Sequence, residues 1–294
     1  MVDMSVKIGG VTLPNPVLPA SGTFSTEYSQ VIDLNRLGAL VTKTVSRNYR
    51  AGNPPPRVSE LEAGMINSIG LPNKGLAGYL EHDLPQLAEL PVPLIVNVMG
   101  STREDVARLV AAFAEREEVA AIELNVSCPN VKTGLIMGAD PRELAALLDH
   151  VRPHSAKPLI VKLTPNCASP AAVAAAAEDH GADAVSLINT LRGMAYHPRR
   201  PGRPWLGGGT GGVSGPAVRA VALAQVAEVR ARVALPIVGM GGVQSAAHAH
   251  DLRLAGADVV AVGTESFRDP LAAAAVAVGL AELESGAPAV AVGA

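Results

Sequence analysis

A cysteine flanked by hydrogen-bonding side chains is the most specific chemical feature of this sequence. The segment Leu124–Lys132 reads LNVSCPNVK and follows a short apolar run typical of a buried strand. The asparagines and the serine around Cys128 offer donors and acceptors to a polar ligand. Because α/β folds place their chemistry just beyond strand ends, we interpret Cys128 as a reactive side chain.

Four roles are open to the Cys128 thiol: inert packing, metal ligation, nucleophilic attack and general base. A metal site is disfavoured because no second cysteine or histidine lies nearby at ligand spacing. A nucleophile would require an adjacent histidine base, and the segment contains none. A thiol with an ordinary pKa of about 8.5 accepts a proton near neutral pH when assisted, so we favour the general base. Cys167 lacks such polar neighbours and is predicted to pack.

Two lysines stand near the ends of predicted strands, where a buried charge requires a partner. Lys43 lies in VTKT and Lys162 lies in IVKLT. Burying a lysine within an apolar strand costs free energy unless a partner compensates it. A packed stem with a solvated head is the alternative, and it would have to occur twice at matching depth. We therefore predict that both ammonium groups face a ligand with negative or electron-rich atoms.

Amide side chains also gather at predicted strand ends and in one long loop. An amide both donates and accepts hydrogen bonds, which suits an imide or uracil-like ring with alternating N–H and C=O groups. A single asparagine at a strand end is usually a turn or cap residue, but the whole set together with Thr190 predicts a polar pocket. Its members are Asn67, Asn97, Asn125 and Asn189.

Glycines surround the last two predicted strands. Gly239–Gly242 reads GMGG, Gly256 opens the next strand, and that strand ends in Gly263 and Thr264. Glycine allows backbone N–H groups to approach an anion, and a following short helix would add its positive end. Tight turns alone are the alternative explanation. Because β/α barrels place phosphate sites at these two loops, we predict phosphate binding.

The elements that must position these residues alternate along the chain. Short apolar runs predict buried parallel strands at Val17–Ala20, Ala39–Thr44, Leu94–Met99, Ala121–Val126, Leu159–Thr164, Ala184–Asn189, Pro236–Met240 and Val259–Gly263. Helices are predicted at Glu27–Leu37, Gly75–Leu90, Arg103–Arg116, Pro141–Val151, Pro170–His180, Gly215–Val233, Ser245–Leu254 and Pro270–Glu284. This alternation predicts an α/β fold, a (β/α)8 TIM barrel in which residues 1–294 form one domain. A doubly wound open sheet is the alternative, and the lack of a glycine-rich dinucleotide turn after the first strand disfavours it.

Two connections are too long for plain loops of a barrel. They are Val45–Asn73 and Leu191–Ser214, and both follow predicted strands. Long loops inside a compact domain are commonly functional, and these are expected at the C-terminal face of the barrel, where active sites are built.

Composition and charge disfavour nucleic-acid-binding, secreted and membrane-anchored proteins. The net charge of −3 predicts no nucleic-acid surface, and the arginine-rich run around Arg199, Arg200 and Arg203 is expected to be a solvated loop. Two cysteines are too few for a secreted disulfide scaffold. The first ten residues lack a signal peptide, and Ala272–Leu280 is too short to span a bilayer. We expect a cytoplasmic protein without a membrane anchor.

Taken together, these segments resemble the catalytic subunit of class 1 dihydroorotate dehydrogenases, the B-type more than the A-type. The similarity covers nearly the whole chain. The matching segments are NPVLPASGTF (Asn15–Phe24), ALVTKT (Ala39–Thr44), GNPPPR (Gly52–Arg57), NSIGLPN (Asn67–Asn73), LNVSCPNVK, VKLTPN (Val161–Asn166), SLINT (Ser186–Thr190), GM (Gly193–Met194), GGVSGPA (Gly211–Ala217), GMGG and VGTESF.

The resemblance implies a barrel that holds FMN at the C-terminal ends of its strands and oxidises dihydroorotate to orotate. Cys128 would remove the C5 proton while the C6 hydride passes to the flavin. The implied FMN contacts are Ser21, Lys43, Thr44, Asn97, Asn125, Lys162, Ile188, Gly215, Gly241, Gly242, Gly263 and Thr264. The implied orotate contacts are Lys43, Asn67, Ser68, Ile69, Gly70, Leu71, Asn125, Asn189 and Thr190.

The resemblance also implies partners. B-type enzymes pass electrons to NAD through a separate iron–sulfur and FAD subunit, and a homodimer core is expected. The chain departs from the family pattern at Thr133–Gly138 and in the loop Arg192–Gly209, which leaves the electron acceptor open. Two other functions are kept: a flavin dehydrogenase acting on another dihydropyrimidine, and a flavin-free lyase or aldolase that forms a Schiff base on Lys162.

Overall fold

Strands and helices alternate along the chain in the computed structural model, which describes residues 3–127 and 137–286. The strands are β1 (Val6–Ile8), β2 (Val11–Leu13), β3 (Val17–Pro19), β4 (Leu40–Val41), β5 (Val58–Leu61), β6 (Gly64–Asn67), β7 (Leu94–Val98), β8 (Val119–Asn125), β9 (Leu159–Lys162), β10 (Ala184–Leu187), β11 (Leu191–Gly193), β12 (Gly211–Ser214), β13 (Ile237–Met240) and β14 (Val259–Val262). The α-helices are α1 (Gly75–Gly78), α2 (Leu84–Ala88), α3 (Arg103–Ala114), α4 (Pro141–Val151), α5 (Pro170–Asp179), α6 (Arg219–Arg230), α7 (Ala246–Leu254), α8 (Glu265–Arg268) and α9 (Ala272–Glu284).

Eight parallel strands form the barrel that the sequence predicted. Their order is β3-β14-β13-β10-β9-β8-β7-β4, and each neighbouring pair in this order is parallel. The backbone N–H of Gly38 donates to the carbonyl of Val17 at 2.7 Å, which brings the first and last strands of this order together. The fold is therefore a (β/α)8 TIM barrel, and the open doubly wound sheet is excluded.

Alternate residues of the strands point into the barrel and out toward the helices. Residues that point outward, such as Val96, Ile122 and Val161, pack in one cluster with the helices. The other positions form a second cluster in the barrel interior: Leu18, Val41, Ile95, Ala121, Ile160, Ala184, Val238, Val259 and Ala261. Both faces of the strands are thus buried, which explains their continuous apolar character.

A hairpin closes the N-terminal end of the barrel. Strands β1 and β2 pair antiparallel around Gly9 and Gly10, which adopt positive φ angles of 52° and 89°. Ile8 and Leu13 of this hairpin are buried in the interior cluster. The first strand of the barrel follows directly, so the hairpin lies at the end opposite the predicted active-site loops.

The two long connections pair with each other in a second sheet, which sequence reasoning did not anticipate. Its order is β11-β12-β6-β5, and all its pairs are antiparallel. Asn67 of the first connection lies opposite Gly212 of the second. Because both connections leave the C-terminal ends of barrel strands, this sheet stands at the face where the site is expected.

Most predicted helices are present. The one predicted at Gly75–Leu90 is divided into α1 and α2 by a π-helical turn at Tyr79–Asp83, and two others differ in a way that the local chain explains. Thr102 and Asp140 cap α3 and α4 by accepting hydrogen bonds from first-turn N–H groups, as the sequence indicated. The helix expected at Glu27–Leu37 is instead two short 3₁₀ turns, Thr26–Gln30 and Leu34–Arg36, separated where Asp33 caps the second turn.

The second difference concerns the helix expected to begin at Gly215. Gly215 has a φ of 89°, and a 3₁₀ turn over Pro216–Val218 precedes α6.

Within residues 3–127 and 137–286, no helix is long and apolar enough to cross a membrane.

Replacing Leu13 by Ala should destabilise the protein by about 2–5 kcal/mol, because a fully buried leucine leaves a cavity in the interior cluster when it is truncated. Thr12→Ala is the matched control, since Thr12 is exposed on the same strand and should cost at most about 0.5 kcal/mol. Urea denaturation measures both changes. Equal midpoints for the two variants would show that the hairpin does not support the barrel.

Candidate functional site

A buried carboxylate connects the polar side chains in the upper part of the barrel interior. Glu123 Oε2 accepts a hydrogen bond from Asn97 Nδ2 at 2.5 Å, and Oε1 accepts one from Ser186 Oγ at 2.7 Å. Lys162 Nζ lies 3.8 Å from Glu123 Oε2. Asn97 and Ser186 are fully buried, while Glu123 and Lys162 are 3% and 4% exposed. The four residues thus form a compact polar network inside an apolar barrel.

This network extends to two further residues that the sequence predicted for the site. Thr44 Oγ1 donates to Asn97 Oδ1 at 2.6 Å. Lys162 Nζ donates to Ser21 Oγ at 2.9 Å. Ser21, Thr44, Asn97 and Lys162 therefore lie together at the C-terminal ends of β3, β4, β7 and β9, as expected for residues that hold one ligand.

Sequence reasoning missed Glu123 and Ser186, and the signal for the first was available. Glu123 interrupts the apolar run of β8, just as Lys162 interrupts that of β9. The rule that a buried charge requires a partner applies to a carboxylate as well as to a lysine. Ser186 gave no comparable signal, because serine is common in strands and loops alike.

The two predicted lysines differ in burial. Lys162 is enclosed by its ion pair and its hydrogen bond to Ser21, whereas Lys43 is exposed just beyond β4. Lys43 adjoins Thr44, which belongs to the network through Asn97. Lys162 therefore lies in the protein interior, and Lys43 lies at the exposed edge of the polar network.

Glycines without room for a side chain follow strands β12 and β13, next to Thr264 at the end of β14. Gly215, Gly241 and Gly242 have φ angles of 89°, 133° and 70°. A Cβ added to Gly242 would lie 2.9 Å from the carbonyl oxygen of Gly215, and one added to Gly215 would lie 3.3 Å from the Thr264 side chain. Thr264 Oγ1 donates to Ser214 Oγ at 2.8 Å. We call Gly215, Gly241, Gly242, Gly263 and Thr264 the glycine cradle.

Gly263 of the cradle and the more distant Gly256 have other surroundings. A Cβ at Gly263 would meet only the Ala20 side chain, at an ordinary 3.6 Å. Gly256 has a φ of 114° and precedes β14, so it belongs to the opposite end of the barrel. Ile188 lies against the cradle, because a Cβ at Gly241 would be 3.2 Å from it. Helix α8 begins directly after Thr264, as the sequence indicated.

Amide and hydroxyl groups cluster beside the ends of β8 and β10. Asn189 Nδ2 donates to Ser127 Oγ at 2.9 Å and lies 3.3 Å from Asn125 Oδ1. Asn189 Oδ1 accepts from the backbone N–H of Thr190 at 2.8 Å. Asn125, Asn189 and Thr190, all predicted as substrate contacts, are therefore adjacent.

Asn67 joins this group across the second sheet. Its Nδ2 donates to the carbonyl of Gly212 at 3.4 Å. Gly212 also packs against Thr190, since an added Cβ would meet Thr190 Oγ1 at 2.0 Å. The second sheet thus brings the two long connections to the same polar region.

Two asparagines that sequence reasoning did not assign fix the loop over residues 67–71. Asn53 Nδ2 donates to Ser68 Oγ at 2.8 Å, and the Asn53 backbone N–H donates to the carbonyl of Ile69. Asn73 Nδ2 donates to the carbonyl of Leu71 at 2.9 Å. Gly70 and Leu71 have positive φ angles of 76° and 54°, which is unusual for leucine. The side chains of Asn53 and Asn73 therefore hold this loop in a defined conformation.

The predicted base, Cys128, lies outside the described residues. The chain on either side of it is held together, because the backbone N–H of Gly138 donates to the carbonyl of Val126 at 2.8 Å. The other cysteine behaves as predicted: Cys167 packs against the core, and burial raises the pKa of its thiol. The arginines at 199, 200 and 203 are exposed, as expected for a solvated loop.

Arg219 and His248 flank the glycine cradle. A Cβ at Gly242 would lie 2.8 Å from the Arg219 Cβ, and the Arg219 guanidinium contacts His248 Nε2. The pKa of His248 is lowered, chiefly because burial disfavours the charged ring and further because of the Arg219 charge. The imidazole is therefore held neutral beside a permanent cation.

Comparisons with known proteins point to one enzyme family. The family model described as dihydroorotate dehydrogenase matches residues 3–283. A protein of Desulforudis audaxviator named dihydroorotate dehydrogenase B (NAD(+)), catalytic subunit, is 49% identical over 282 residues, which cover 95% of this chain and 92% of that protein. A Geotalea daltonii protein with the same name is 46% identical over 281 residues, with the same two shares covered.

A solved structure supports the fold. The DHODH of Eimeria tenella, crystallised in complex with ferulenol, superposes with a TM-score of 0.77 over 97% of this chain and 85% of that chain. Its sequence identity is 22%, so this likeness bears on the architecture alone.

The lowered pKa of His248 predicts a loss of stability in acid. The unfolded chain binds this proton more readily than the folded one, so the stability is fully present above the unfolded pKa of about 6.5 and is lost as the pH falls. Denaturation midpoints of wild type and His248→Gln, measured from about pH 8 down to about pH 5.5, should converge toward acid. Parallel curves for wild type and His248→Gln would contradict this account.

Proposed function

This chain belongs to the dihydroorotate dehydrogenase family, and we propose that it oxidises dihydroorotate to orotate in pyrimidine biosynthesis, with FMN as its cofactor. The observation that carries the proposal is the placement of the glycine cradle and the buried Lys162 at the same end of one barrel. A ligand with a phosphate at one end and an electron-rich ring at the other satisfies both features.

The glycine cradle fits the phosphate of FMN. Side chains at Gly215 and Gly242 would collide with neighbouring backbone or side-chain atoms, so the backbone itself forms the surface there. Backbone N–H groups at glycine turns bind phosphate oxygens. We assign the phosphate end to Gly215, Gly241, Gly242, Gly263 and Thr264.

We assign the ring end of the cofactor to the polar network around Lys162 and Glu123. When bound, FMN supplies a ring that accepts a hydride, and a cation beside it stabilises the negative charge that arrives with reduction. Lys162 is positioned for this by Ser21 and Glu123. The other proposed ring contacts are Ser21, Lys43, Thr44, Asn97, Asn125 and Ile188.

The substrate is assigned to the region between the network and the second sheet. The exposed Lys43 supplies a positive charge for the carboxylate of dihydroorotate, together with Asn67, Ser68, Ile69, Gly70 and Leu71 of the loop that Asn53 and Asn73 hold. The amides of Asn125 and Asn189, with Thr190, match the alternating donors and acceptors of the pyrimidine ring.

Cys128 is proposed as the general base of this reaction. Its thiolate would accept the proton from C5 of dihydroorotate, while the hydride leaves C6 for the flavin, and the C5–C6 double bond of orotate forms. The segment that carries Cys128 follows Asn125 and Ser127, both of which contact Asn189. The proposed base and one proposed ring contact, Asn125, thus come from one short stretch of chain, and Asn189 contacts that stretch.

We further propose a separate electron-transfer subunit and a homodimeric catalytic core. The relatives from Geotalea daltonii and Desulforudis audaxviator are named catalytic subunits and NAD(+) enzymes, and such a name describes one part of a larger assembly. An iron–sulfur and FAD subunit that passes electrons from the reduced cofactor to NAD would complete the reaction.

A visible absorption spectrum tests the proposed activity directly. The purified chain, reconstituted with FMN, should be yellow and should bleach anaerobically on addition of dihydroorotate. Dihydrouracil, which lacks the carboxylate assigned to Lys43, is the control and should reduce the flavin far more slowly. Equal reduction by dihydrouracil would favour a dehydrogenase for another dihydropyrimidine, and a protein that binds no FMN would defeat the proposal.

Replacing Cys128 by Ala should slow flavin reduction by dihydroorotate about 10²–10⁴-fold, because this is the usual contribution of a positioned general base. Cys128→Ser should lose less, since a hydroxyl can still accept a proton. Cys167→Ala is the matched control, because this cysteine packs against the core, and it should keep the wild-type rate. Stopped-flow spectroscopy measures all three rates, and normal reduction in Cys128→Ala would remove this residue from the base role.

A further inference from the structure

We propose that Glu123 is a positioning residue that holds Lys162 and Asn97 against the flavin and, through its negative charge, lowers the reduction potential of the cofactor. This inference rests on the proposed FMN function. It concerns a residue to which neither the sequence patterns nor the family resemblance gave a role.

The buried carboxylate of Glu123 is compensated by its neighbours. Glu123 is 3% exposed, and a carboxylate taken out of water costs free energy unless hydrogen bonds and an opposite charge compensate it. Asn97 donates to one oxygen, Ser186 donates to the other, and Lys162 supplies the countercharge at 3.8 Å. These contacts hold the carboxylate in a defined position.

The Glu123 carboxylate in turn orients Asn97 and Lys162. Asn97 Nδ2 donates to Glu123 while Asn97 Oδ1 accepts from Thr44, so the orientation of this amide is determined at both ends. Lys162 Nζ lies between Glu123 and its hydrogen-bond acceptor, Ser21. An ammonium group has three N–H donors, so donors remain to point at an electron-rich ring.

The Glu123 charge also changes the electrostatic field that Lys162 produces at the flavin ring. Two-electron reduction brings negative charge onto the flavin ring, and the Lys162 cation favours that state. A second, opposite charge at 3.8 Å cancels much of this field. The pair therefore gives the ring a hydrogen-bond donor with little net charge, which keeps the potential lower than an isolated lysine would. A low potential favours the onward transfer of electrons to a partner.

Charge removal without change of shape tests this role. In the FMN-loaded chain, Glu123→Gln should raise the equilibrium constant for flavin reduction about tenfold, equivalent to about 30 mV for a two-electron couple. Ser186→Ala is the matched control, because it removes one hydrogen bond to the same carboxylate and no charge, and its potential should stay near wild type. Glu123→Asp retains the charge and should restore most of the wild-type potential. Spectroelectrochemical titration of the bound flavin measures these values independently of turnover.

A double variant keeps the test decisive if Glu123→Gln fails to fold. Glu123→Gln combined with Lys162→Met removes both charges of the pair, which proteins tolerate better than one unpaired buried charge, and its potential should return close to wild type. Lys162→Met alone should lower the potential.

Three outcomes overturn the inference: an unshifted potential in Glu123→Gln, an equal shift in Ser186→Ala, or a double variant shifted as far as Lys162→Met. A wild-type chain that holds no flavin would instead defeat the proposed function on which this inference rests.

Discussion

The cost of placing charge inside an apolar barrel governs this structure. Glu123 and Lys162 come from adjacent strands and lie 3.8 Å apart, where almost no solvent reaches them. Each buried charge compensates the other, and the hydrogen bonds of Asn97, Ser186 and Ser21 lower the cost of burying them further. The pair and its hydrogen-bond partners come from β7, β8, β9, β10 and the segment after β3, so the network depends on the register of these strands. The same contacts define the positions of the polar side chains at the centre of the site.

The two ends of the barrel differ in polarity and in role. The hairpin around Gly9 and Gly10 closes the N-terminal end with apolar side chains, so that end contributes stability. At the C-terminal end the inward positions become polar, and two long connections form a sheet of their own there. In the proposed function, the glycine cradle receives the phosphate of one elongated ligand, the polar network receives its ring, and the second sheet borders the substrate.

The fold could be predicted from local patterns, and the site only in part. Apolar runs and helix caps such as Thr102 report on their own neighbourhood, so the strand and helix order was recovered. The antiparallel pairing of Asn67 with Gly212 joins segments far apart in the chain, and no local pattern encodes it. Lys162 was found because a lysine in an apolar strand is conspicuous. Glu123 carries the same signal in β8, but the sequence pattern gives a carboxylate no role beside an anionic ligand.

We propose that one pyrimidine lies between the Cys128 sulfur and a flavin whose ring lies against Lys162. A crystal structure of the chain with FMN and orotate tests it most directly. The account predicts the flavin phosphate in the glycine cradle, the flavin ring beside the Lys162–Glu123 pair, and the sulfur next to C5 of orotate on the face opposite the flavin. A sulfur packed into the hydrophobic core, remote from both rings, would contradict it.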